Sequence, residues 1–215
     1  FFVDKAQIGK EYVTITGNDV NHIKNVLRMK QGEEIRVSDQ NGLDYFCKIA
    51  EVSDDFVQAD IVTTDEKGTE LSAKIYLFQA LPKGDRMETV IEKAVELGVY
   101  EIIPVAMKYC VVKLDEKKGQ NKVKRWQSIA ESAAKQSKRS RIPKVHAVMT
   151  YLEALAYAAD CDVRLVPYEN ECGMQGTKEA IELVTTDSSV SVIIGPEGGF
   201  AEEEIAMVRD NMHVV

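Results

Sequence analysis

The first third of the chain alternates apolar and polar residues in short runs that are separated by turn residues. Between the first two runs, Asp19–Met29 has helical spacing, with Val20, Ile23, Val26 and Leu27 on one stripe. Several short strands around one helix predict a small β-barrel over residues 1–66. The runs that predict its strands are Tyr12–Thr16, Glu34–Ser38, Tyr45–Val52 and Val57–Thr63.

The pattern changes after a polar, glycine-containing linker at residues 67–72. Lys74–Ala80 is nearly all apolar, as in a strand that is buried on both faces. Strands then alternate with helices, which predicts an α/β domain over residues 73–215 with a mostly parallel sheet. The predicted strands are Glu101–Val105, Val163–Pro167 and Val190–Ile194, and the predicted helices are Arg86–Leu97, Gln120–Ser140, Thr150–Ala159, Lys178–Val184 and Glu202–Asn211.

Composition places the chain among soluble globular proteins, since 45% of its residues are hydrophobic and 29% are charged. No apolar run is long enough to span a membrane, and the residues that begin the sequence lack the pattern of a signal peptide. The cysteines stand apart from one another, with no C-x-x-C pair, at Cys47, Cys110, Cys161 and Cys172. We expect buried thiols in a cytoplasmic protein, without a metal site or disulfides.

The net charge is 27 − 35 = −8, but its distribution is uneven. Between Lys108 and Lys144 there are twelve basic and three acidic residues, a local charge of +9, which leaves −17 for the rest. Such a block can steer a polyanion to one face, although a solvated helix flank would have the same composition. Lys135, Lys138 and Arg139 share one predicted helical face, and Trp126 lies in the same block.

The most informative segment for chemistry is Ile193–Phe200, which reads IIGPEGGF and precedes a helix that begins with three glutamates. Its glycines allow close backbone approach at the carboxyl end of a strand, where α/β domains bind ligands, although a plain strand-to-helix turn is the alternative. The loop is not G-x-G-x-x-G, and an acidic helix start repels a pyrophosphate. Nucleophile, zinc-protease and P-loop motifs are missing from the sequence. The segment favours an adenosine-bearing or cationic cofactor over a dinucleotide.

Four stretches form a recognisable series along the chain. They are His22–Arg28 (H-x-x-x-V-L-R) with Gly32; Leu81–Glu88 with Lys93, Glu96–Gly98 and Pro104; Arg125–Trp126 with Glu131, Gln136–Ser137, Arg139 and Ile142–Pro143; and Gly195–Phe200. With these motifs in this order, the chain resembles the RsmE-type 16S ribosomal RNA methyltransferases of the SPOUT superfamily.

The resemblance implies a PUA-like N-terminal β-barrel, a C-terminal α/β-knot (SPOUT) domain and a homodimer. It also implies methyl transfer from S-adenosylmethionine to N3 of a uridine in 16S ribosomal RNA of the small subunit. The family continues into a further glycine-rich loop and a last helix, so we expect the C-terminal end of the domain to be missing from this sequence. Tyr109–Cys110 stands where the family often has Arg-Ser.

The site predictions follow from these patterns. The backbone around Val166–Pro167, Ile194–Gly195 and Glu197–Gly198 is predicted to bind the cofactor, because these segments lie at carboxyl ends of strands. The N3 proton must leave and nearby cations stabilise the anion, which makes Arg139 and Arg141 the catalytic candidates. The residues predicted to bind RNA are Arg28, Lys83, Arg125, Lys135, Lys138 and Arg139.

Two other functions stay open at this point. One is a non-catalytic RNA-binding factor for ribosome assembly with a degenerate cofactor pocket. The other is a dinucleotide-dependent enzyme, which the absent fingerprint disfavours.

Overall fold

The computed structural model describes residues 1–66, 68–171 and 173–215, so Lys67 of the predicted linker and the predicted buried thiol of Cys172 lie outside the described residues. The chain forms two units, one made of Phe1–Glu70 with Ala134–Ile142 and the other of Leu71–Ala133 with Pro143–Val215. Residues 134–142, which the sequence pattern placed with the α/β part, therefore fold as part of the first unit.

The first unit contains an antiparallel sheet in the order β1-β4-β3-β2. Alternate residues of its strands, such as Val13 and Ile15, are buried, which explains the period of two in the sequence. Phe2 adds a bridge to Ser38. All four predicted strands are confirmed: β1 is Tyr12–Thr16, β2 Glu34–Ser38, β3 Asp44–Val52 and β4 Phe56–Asp65.

The helix of this unit differs from its prediction. Helix α1, Asn18–Asn21, continues as a π-helical turn over His22–Val26, in which the N–H of Leu27 donates to the carbonyl of His22 at 2.9 Å. Val20 and Ile23 are buried as predicted, but Val26 and Leu27 are 61% and 50% exposed. The predicted stripe is wrong beyond Ile23 because the wider turn moves the next residues off the buried face.

The second unit contains a sheet in which every strand pair is parallel, in the order β11-β9-β10-β5-β6-β7, with β8 also on β6. The predicted strands are confirmed within a residue or so. They are β5 Lys74–Ala80, β6 Glu101–Ala106, β9 Val163–Val166 and β10 Ser189–Ile194. The two-residue strands β7 Lys144–Val145, β8 Met149–Thr150 and β11 His213–Val214 are too short to show a period in the sequence.

Helices α2 (Arg86–Glu96), α3 (Glu116–Gln136), α4 (Tyr151–Ala158), α5 (Gln175–Glu182) and α6 (Glu202–Ala206) follow the predicted order. In α2, Met87, Ile91 and Val95 form the buried stripe, and Gly98 follows with a φ of +100°. Helix α4 begins with a capping box, in which Thr150 Oγ1 accepts the N–H of Glu153. None of the helices in the described part of the chain is long and apolar enough to cross a membrane.

Two predicted helices end four or more residues early. Helix α3 ends at Gln136 and not Ser140, because Lys138 adopts a left-handed φ of 56° and closes the helix. The N–H of Lys138 donates to Lys135 and the N–H of Arg139 to Ala134, at 3.3 and 3.0 Å, which is a Schellman motif. Helix α6 ends at Ala206 and not Asn211, and residues 207–211 continue as turns.

Three of the predicted thiols are confirmed as free and buried: Cys47, Cys110 and Cys161. Burial raises the pKa of Cys47 to about 11, so this thiol stays protonated at neutral pH. A protonated, buried thiol is a packing residue and not a nucleophile.

Candidate functional site

The carboxyl ends of β9 and β10 meet at one edge of the parallel sheet. The two strands pair with Val192 opposite Leu165, so the loops that follow them begin side by side. Val166 and Pro167 therefore lie beside Ile194 and Gly195 at this edge. It is the edge at which open α/β sheets bind ligands, and the role of these residues in cofactor binding stays a prediction.

The glycine loop after β10 folds back on itself. A Cβ atom on Gly195 would lie 2.9 Å from the ring of Phe200, and one on Gly198 would lie 3.3 Å from Cβ of Tyr109. Gly199 has a φ of +73°, and its N–H donates to the carbonyl of Pro196 at 2.9 Å. A side chain at Gly195 would collide with Phe200, one at Gly198 would crowd Tyr109, and Gly199 has a backbone conformation that favours glycine, so the main chain of the loop packs closely against neighbouring side chains.

Phe200 is the aromatic support of this loop. Its side chain is buried, and its ring meets that of Tyr168 edge to face with 6.2 Å between centroids. Tyr168 lies in the loop after β9 and is tied to the C-terminal strand by its N–H, which donates to the carbonyl of Val215 at 2.7 Å. The loops after β9 and β10 are thus held against each other through aromatic packing.

Glu197 joins the glycine loop to the loop after β5. Its Oε1 accepts the backbone N–H of Lys83 at 3.0 Å and the guanidinium of Arg86 at 2.8 Å. The backbone donor at Lys83, together with the cation of Arg86, lowers the pKa of Glu197. The sequence pattern predicted a backbone role for Glu197 and an RNA-binding role for the Lys83 side chain, and it did not show that these two residues meet.

Glu204 is a site residue that sequence reasoning missed. Its side chain is almost fully buried, Oε1 accepts the N–H of Lys108 at 3.0 Å, and Oε2 accepts the N–H of Ala201 at 2.9 Å. From the sequence, the acidic start of α6 indicates only repulsion of a phosphate. A glutamate at the third position of a helix also caps the helix start, and the position of Glu204 in the sequence indicates this second role.

The electrostatics of this edge follow from the same contacts. Lys108 Nζ lies 2.7 Å from Glu203 Oε1, so the acidic start of α6 is partly neutralised. Glu197 and Glu204 together fix the loops after β5, β6 and β10 relative to one another. A fixed main-chain edge of this kind suits a neutral adenosine and an amino-acid group, which need hydrogen-bonding groups at set positions.

The cations of α3 within the second unit are largely paired. Arg125 contacts Glu88 of α2 at 2.8 Å, and Lys122 lies 3.9 Å from Asp85. Trp126 is 4% exposed, so its indole belongs to the core and not to an RNA-binding face. The basic block of the sequence is therefore in part a helix flank with acidic partners.

The predicted common face of Lys135, Lys138 and Arg139 is wrong, because α3 ends at Gln136. Lys135 pairs with Asp19 at 3.1 Å. The Arg139 side chain is 4% exposed and is ion-paired with Glu70, with Nε 3.2 Å from Oε1. Lys138 is exposed and makes no ion pair with any residue that the structure describes.

Residues 134–142, which contain these side chains, are held within the first unit by a buried network of hydrogen bonds and an ion pair. Ser140 Oγ donates to Asp44 Oδ2 at 2.6 Å, Ser38 Oγ donates to the carbonyl of Ser140 at 2.6 Å, and Arg36 is ion-paired with Asp44. Asp44 and Ser140 are both completely buried. Arg139 therefore lies in a structural network, while Arg141 is half-buried at its end. The catalytic and RNA-binding roles predicted for these arginines stay predictions.

Arg28, the remaining residue predicted to bind RNA, is exposed and has a left-handed φ of 55°. Among the described residues, no group of three or more histidine, cysteine, aspartate or glutamate side chains is arranged to hold a metal ion.

Comparison with known proteins agrees with this architecture. The family model for the RNA methyltransferase domain matches residues 69–215, and that for the RNA methyltransferase PUA domain matches residues 15–62. Ribosomal RNA small subunit methyltransferase E of Bacillus subtilis is 38% identical over 201 residues, which cover 92% of this chain and 78% of that protein. The protein of the same name from Mesomycoplasma hyopneumoniae is 34% identical over 205 residues, which cover 95% of this chain and 84% of that protein.

A solved structure extends the comparison. The comparison is with ribosomal RNA small subunit methyltransferase E from Neisseria gonorrhoeae, solved bound to S-adenosyl methionine. The TM-score is 0.81 and the sequence identity 29%, and the match covers 100% of this chain and 87% of the Neisseria chain. The predicted fold class, a PUA-like domain followed by a mostly parallel α/β domain, is confirmed, and so is the family resemblance. The chain belongs to the RNA methyltransferase family that includes ribosomal RNA small subunit methyltransferase E.

Proposed function

We propose that this chain transfers a methyl group from S-adenosylmethionine to N3 of a uridine in 16S ribosomal RNA. The observation that carries the proposal is the close-packed glycine loop at Gly195–Phe200, which lies at the carboxyl ends of neighbouring parallel strands, where α/β sheets bind ligands. The family relatives named as small-subunit ribosomal RNA methyltransferases, one of them solved with S-adenosyl methionine, support the same reaction.

The residues at the edge suit this cofactor. The backbone around Val166–Pro167, Ile194–Gly195 and Glu197–Gly198 would hold its adenosine and methionine parts, since these segments follow neighbouring parallel strands at the carboxyl edge of the sheet. When bound, the cofactor supplies a methyl group on a positively charged sulfur, which needs little further activation. Alignment of the acceptor nitrogen is then the main task of the protein.

The protein must also deal with the N3 proton. The uridine N3 loses this proton to water or a base, and a cation beside the ring stabilises the resulting anion. Arg139 and Arg141 are the proposed cations. The pair between Arg139 and Glu70 would have to open before the Arg139 guanidinium could face a substrate, so substitution of each arginine in turn separates the two assignments.

Arg139 is buried and ion-paired with Glu70, so we do not propose it as a phosphate contact, although the sequence predicted that it binds RNA. The RNA is proposed to bind the cationic residues Arg28, Lys83, Arg125, Lys135 and Lys138. Each phosphate contact of this kind contributes about 0.7 to 0.9 to the slope of log affinity against log salt. The proposed partner is the 16S RNA of the small subunit, and the family resemblance further supports a cytoplasmic homodimer. Analytical ultracentrifugation of the protein tests the dimer directly.

Calorimetry with S-adenosylmethionine, followed by transfer of a labelled methyl group to small-subunit RNA, tests the function. We expect binding and transfer into uridine. The rival function, a ribosome-assembly factor with a degenerate pocket, requires RNA binding without cofactor binding. If the chain binds RNA but gives no heat of binding with S-adenosylmethionine, the proposal of an enzyme would give way to that of an assembly factor.

A further inference from the structure

The turn at residues 22–30 carries an exposed apolar tip. Val20 and Ile23 fix the start of this segment in the core, at 3% and 0% exposure. Val26 and Leu27, which follow at helical spacing, are 61% and 50% exposed. Adjacent large apolar side chains that project into solvent have no role in the packing of this unit, so they are candidates for contact with another molecule.

The backbone holds the tip in this position by two uncommon devices. The π-helical turn over His22–Val26 contains Val26 and leads into Leu27, and Arg28, which follows, has a left-handed φ of 55°. The N–H of Met29 closes the turn by donating to the carbonyl of Ile23 at 3.0 Å. π-helical turns and left-handed residues other than glycine are both sparsely populated, and both concentrate at functional positions.

The surroundings of the tip identify the chemistry of its partner. Residues 20–32 contain three cations, Lys24, Arg28 and Lys30, and no carboxylate, while the rest of residues 1–66 contains four cations and thirteen carboxylates. Residues 20–32 thus carry a charge of 3 − 0 = +3, whereas the rest of residues 1–66 carries 4 − 13 = −9. A polyanion with apolar faces is the complementary partner, and RNA is such a molecule.

The cations differ in their availability. Lys24 is ion-paired with Asp54. Arg28 and Lys30 are exposed and make no ion pair with any residue in the described ranges. These two side chains follow the apolar pair on its C-terminal side.

We propose that Val26 and Leu27 form a wedge that inserts between two stacked bases of RNA, while Arg28 and Lys30 bind the flanking phosphates. The inference rests on the proposed function, because N3 of a paired uridine points into the base pair and is reached only after the base is extruded. Apolar side chains that enter a base step unstack it, which makes extrusion easier. The wedge would thereby unstack the RNA at the base step that it enters.

The test uses the full chain and a short RNA duplex with one bulged uridine next to a fluorescent adenine analogue, whose emission rises on unstacking. The double variant Val26→Ser/Leu27→Ser removes the wedge. We expect an approximately tenfold loss of affinity, no rise in emission at saturation and an unchanged salt slope. Arg28→Gln/Lys30→Gln should lower the salt slope by about 1.4 to 1.8 and keep the emission rise at saturation.

Val62→Ser is the matched control, because Val62 is also 61% exposed in the same unit, outside the tip. Leu27→Phe tests the wedge without removing apolar area and should retain the emission rise. Circular dichroism melting should give the wild-type temperature for every variant, since no substituted side chain is buried. A wedge variant that melts early is replaced in the assay by the single variant Leu27→Ser, for which the same loss of emission is expected.

A normal emission rise with Val26→Ser/Leu27→Ser overturns the wedge. A change in oligomeric state in that variant also overturns it, because the tip would then be a contact between protein copies. The proposed function fails separately, if the wild-type chain neither binds S-adenosylmethionine nor methylates RNA. If the wild-type chain methylates RNA and the wedge variant still unstacks the RNA, the proposed function is supported and only the wedge proposal fails.

Discussion

One carboxylate oxygen, Glu197 Oε1, accepts hydrogen bonds from both the backbone N–H of Lys83, at 3.0 Å, and the guanidinium of Arg86, at 2.8 Å. Lys83 lies in the loop after β5 and Glu197 in the loop after β10, and these two strands are neighbours in the sheet. The glycine loop is therefore positioned by a residue that precedes it by more than a hundred positions in the chain, and its geometry depends on this contact.

We expect Glu197→Ala to lower the affinity for S-adenosylmethionine about tenfold, which corresponds to about 1.4 kcal/mol. The loop loses its tie to Lys83, while the melting temperature changes little because the ion pair with Arg86 is largely exposed. Glu197→Gln keeps an acceptor and should lose less. Calorimetry measures the affinity of both variants for S-adenosylmethionine, with Glu203→Ala as the control. Wild-type affinity in Glu197→Ala would show that this contact does not support cofactor binding.

The glycine at position 195 should not tolerate a side chain. A Cβ atom there would lie 2.9 Å from the buried ring of Phe200, so Gly195→Ala forces the ring or the loop to move. We expect at least a tenfold loss of cofactor affinity, and complete loss for Gly195→Val, with cooperative unfolding preserved. The control is Gly176→Ala, because a Cβ atom at Gly176 has nothing within 4 Å. Equal cofactor affinities for the two alanine variants would show that the loop is not the binding edge.

Arg139 should act mainly on stability. Loss of one partner from a fully buried ion pair costs about 3 to 5 kcal/mol. Arg139→Gln should lower the free energy of unfolding by less than that, because Glu70 is partly exposed and keeps the N–H of Ser140 as a donor. Urea titration measures this, and Glu70→Gln/Arg139→Gln should recover part of the loss. An Arg139→Gln variant as stable as the wild type would contradict the structural role.

Lys138 should act on RNA binding and not on stability, because its side chain is exposed beyond the end of α3. Lys138→Gln is expected to lower the slope of log affinity against log salt by about 0.7 to 0.9 if the ammonium contacts one phosphate. Arg139→Gln, assayed at a temperature at which it is folded, should leave that slope unchanged. Fluorescence anisotropy with labelled RNA at several salt concentrations compares the two variants, and the reverse pattern would restore Arg139 as the phosphate contact.

The pH dependence of stability should contain a contribution from Glu101. Burial raises the pKa of this carboxyl, but the hydrogen bonds from His146, at 2.7 Å, and Tyr157, at 2.8 Å, outweigh burial and lower it overall. A lowered pKa in the folded state means that the stabilisation is complete above the unfolded pKa of about 4.3 and is lost as the pH falls through the folded value.

We therefore expect Glu101→Gln to be less stable than the wild type by about 1 to 2 kcal/mol at neutral pH, with the difference shrinking below about pH 4. Urea titrations at a series of pH values measure it. Glu92→Gln, which alters an exposed carboxylate paired with Lys93, is the control and should show no such trend. A Glu101→Gln deficit that stays constant down to acid pH would contradict this assignment.

Local pattern was sufficient for most of the fold. Strands β1 to β4 and the stripe of α2 were predictable because their burial alternates with the period of the backbone itself. Strands β5 and β6 were predictable because each is a nearly continuous apolar run. The two-residue strands were not predictable, since pairing with a neighbour defines them and no internal period does. The end of α3 was missed because Lys138 adopts a conformation that the sequence pattern usually assigns to glycine.

The candidate site was predictable only in part for a related reason. The glycine loop is visible in the sequence because each of its glycines meets a local steric demand. The partners of its polar residues are not, because Glu197 with Lys83, and Arg139 with Glu70, are joined by contacts across 114 and 69 positions. The exposed pair Val26–Leu27 shows the converse case. The amphipathic pattern of the sequence continues through these residues, but the π-helical turn moves them off the buried face.

Mass spectrometry of nucleosides from the 16S ribosomal RNA of a strain that lacks the gene tests the proposed methyl transfer in the cell. We expect N3-methyluridine to disappear from this RNA in the deletion strain and to return when the gene is restored, but not when it is restored with Gly195→Val. N3-methyluridine at the wild-type level in the deletion strain would contradict this proposal.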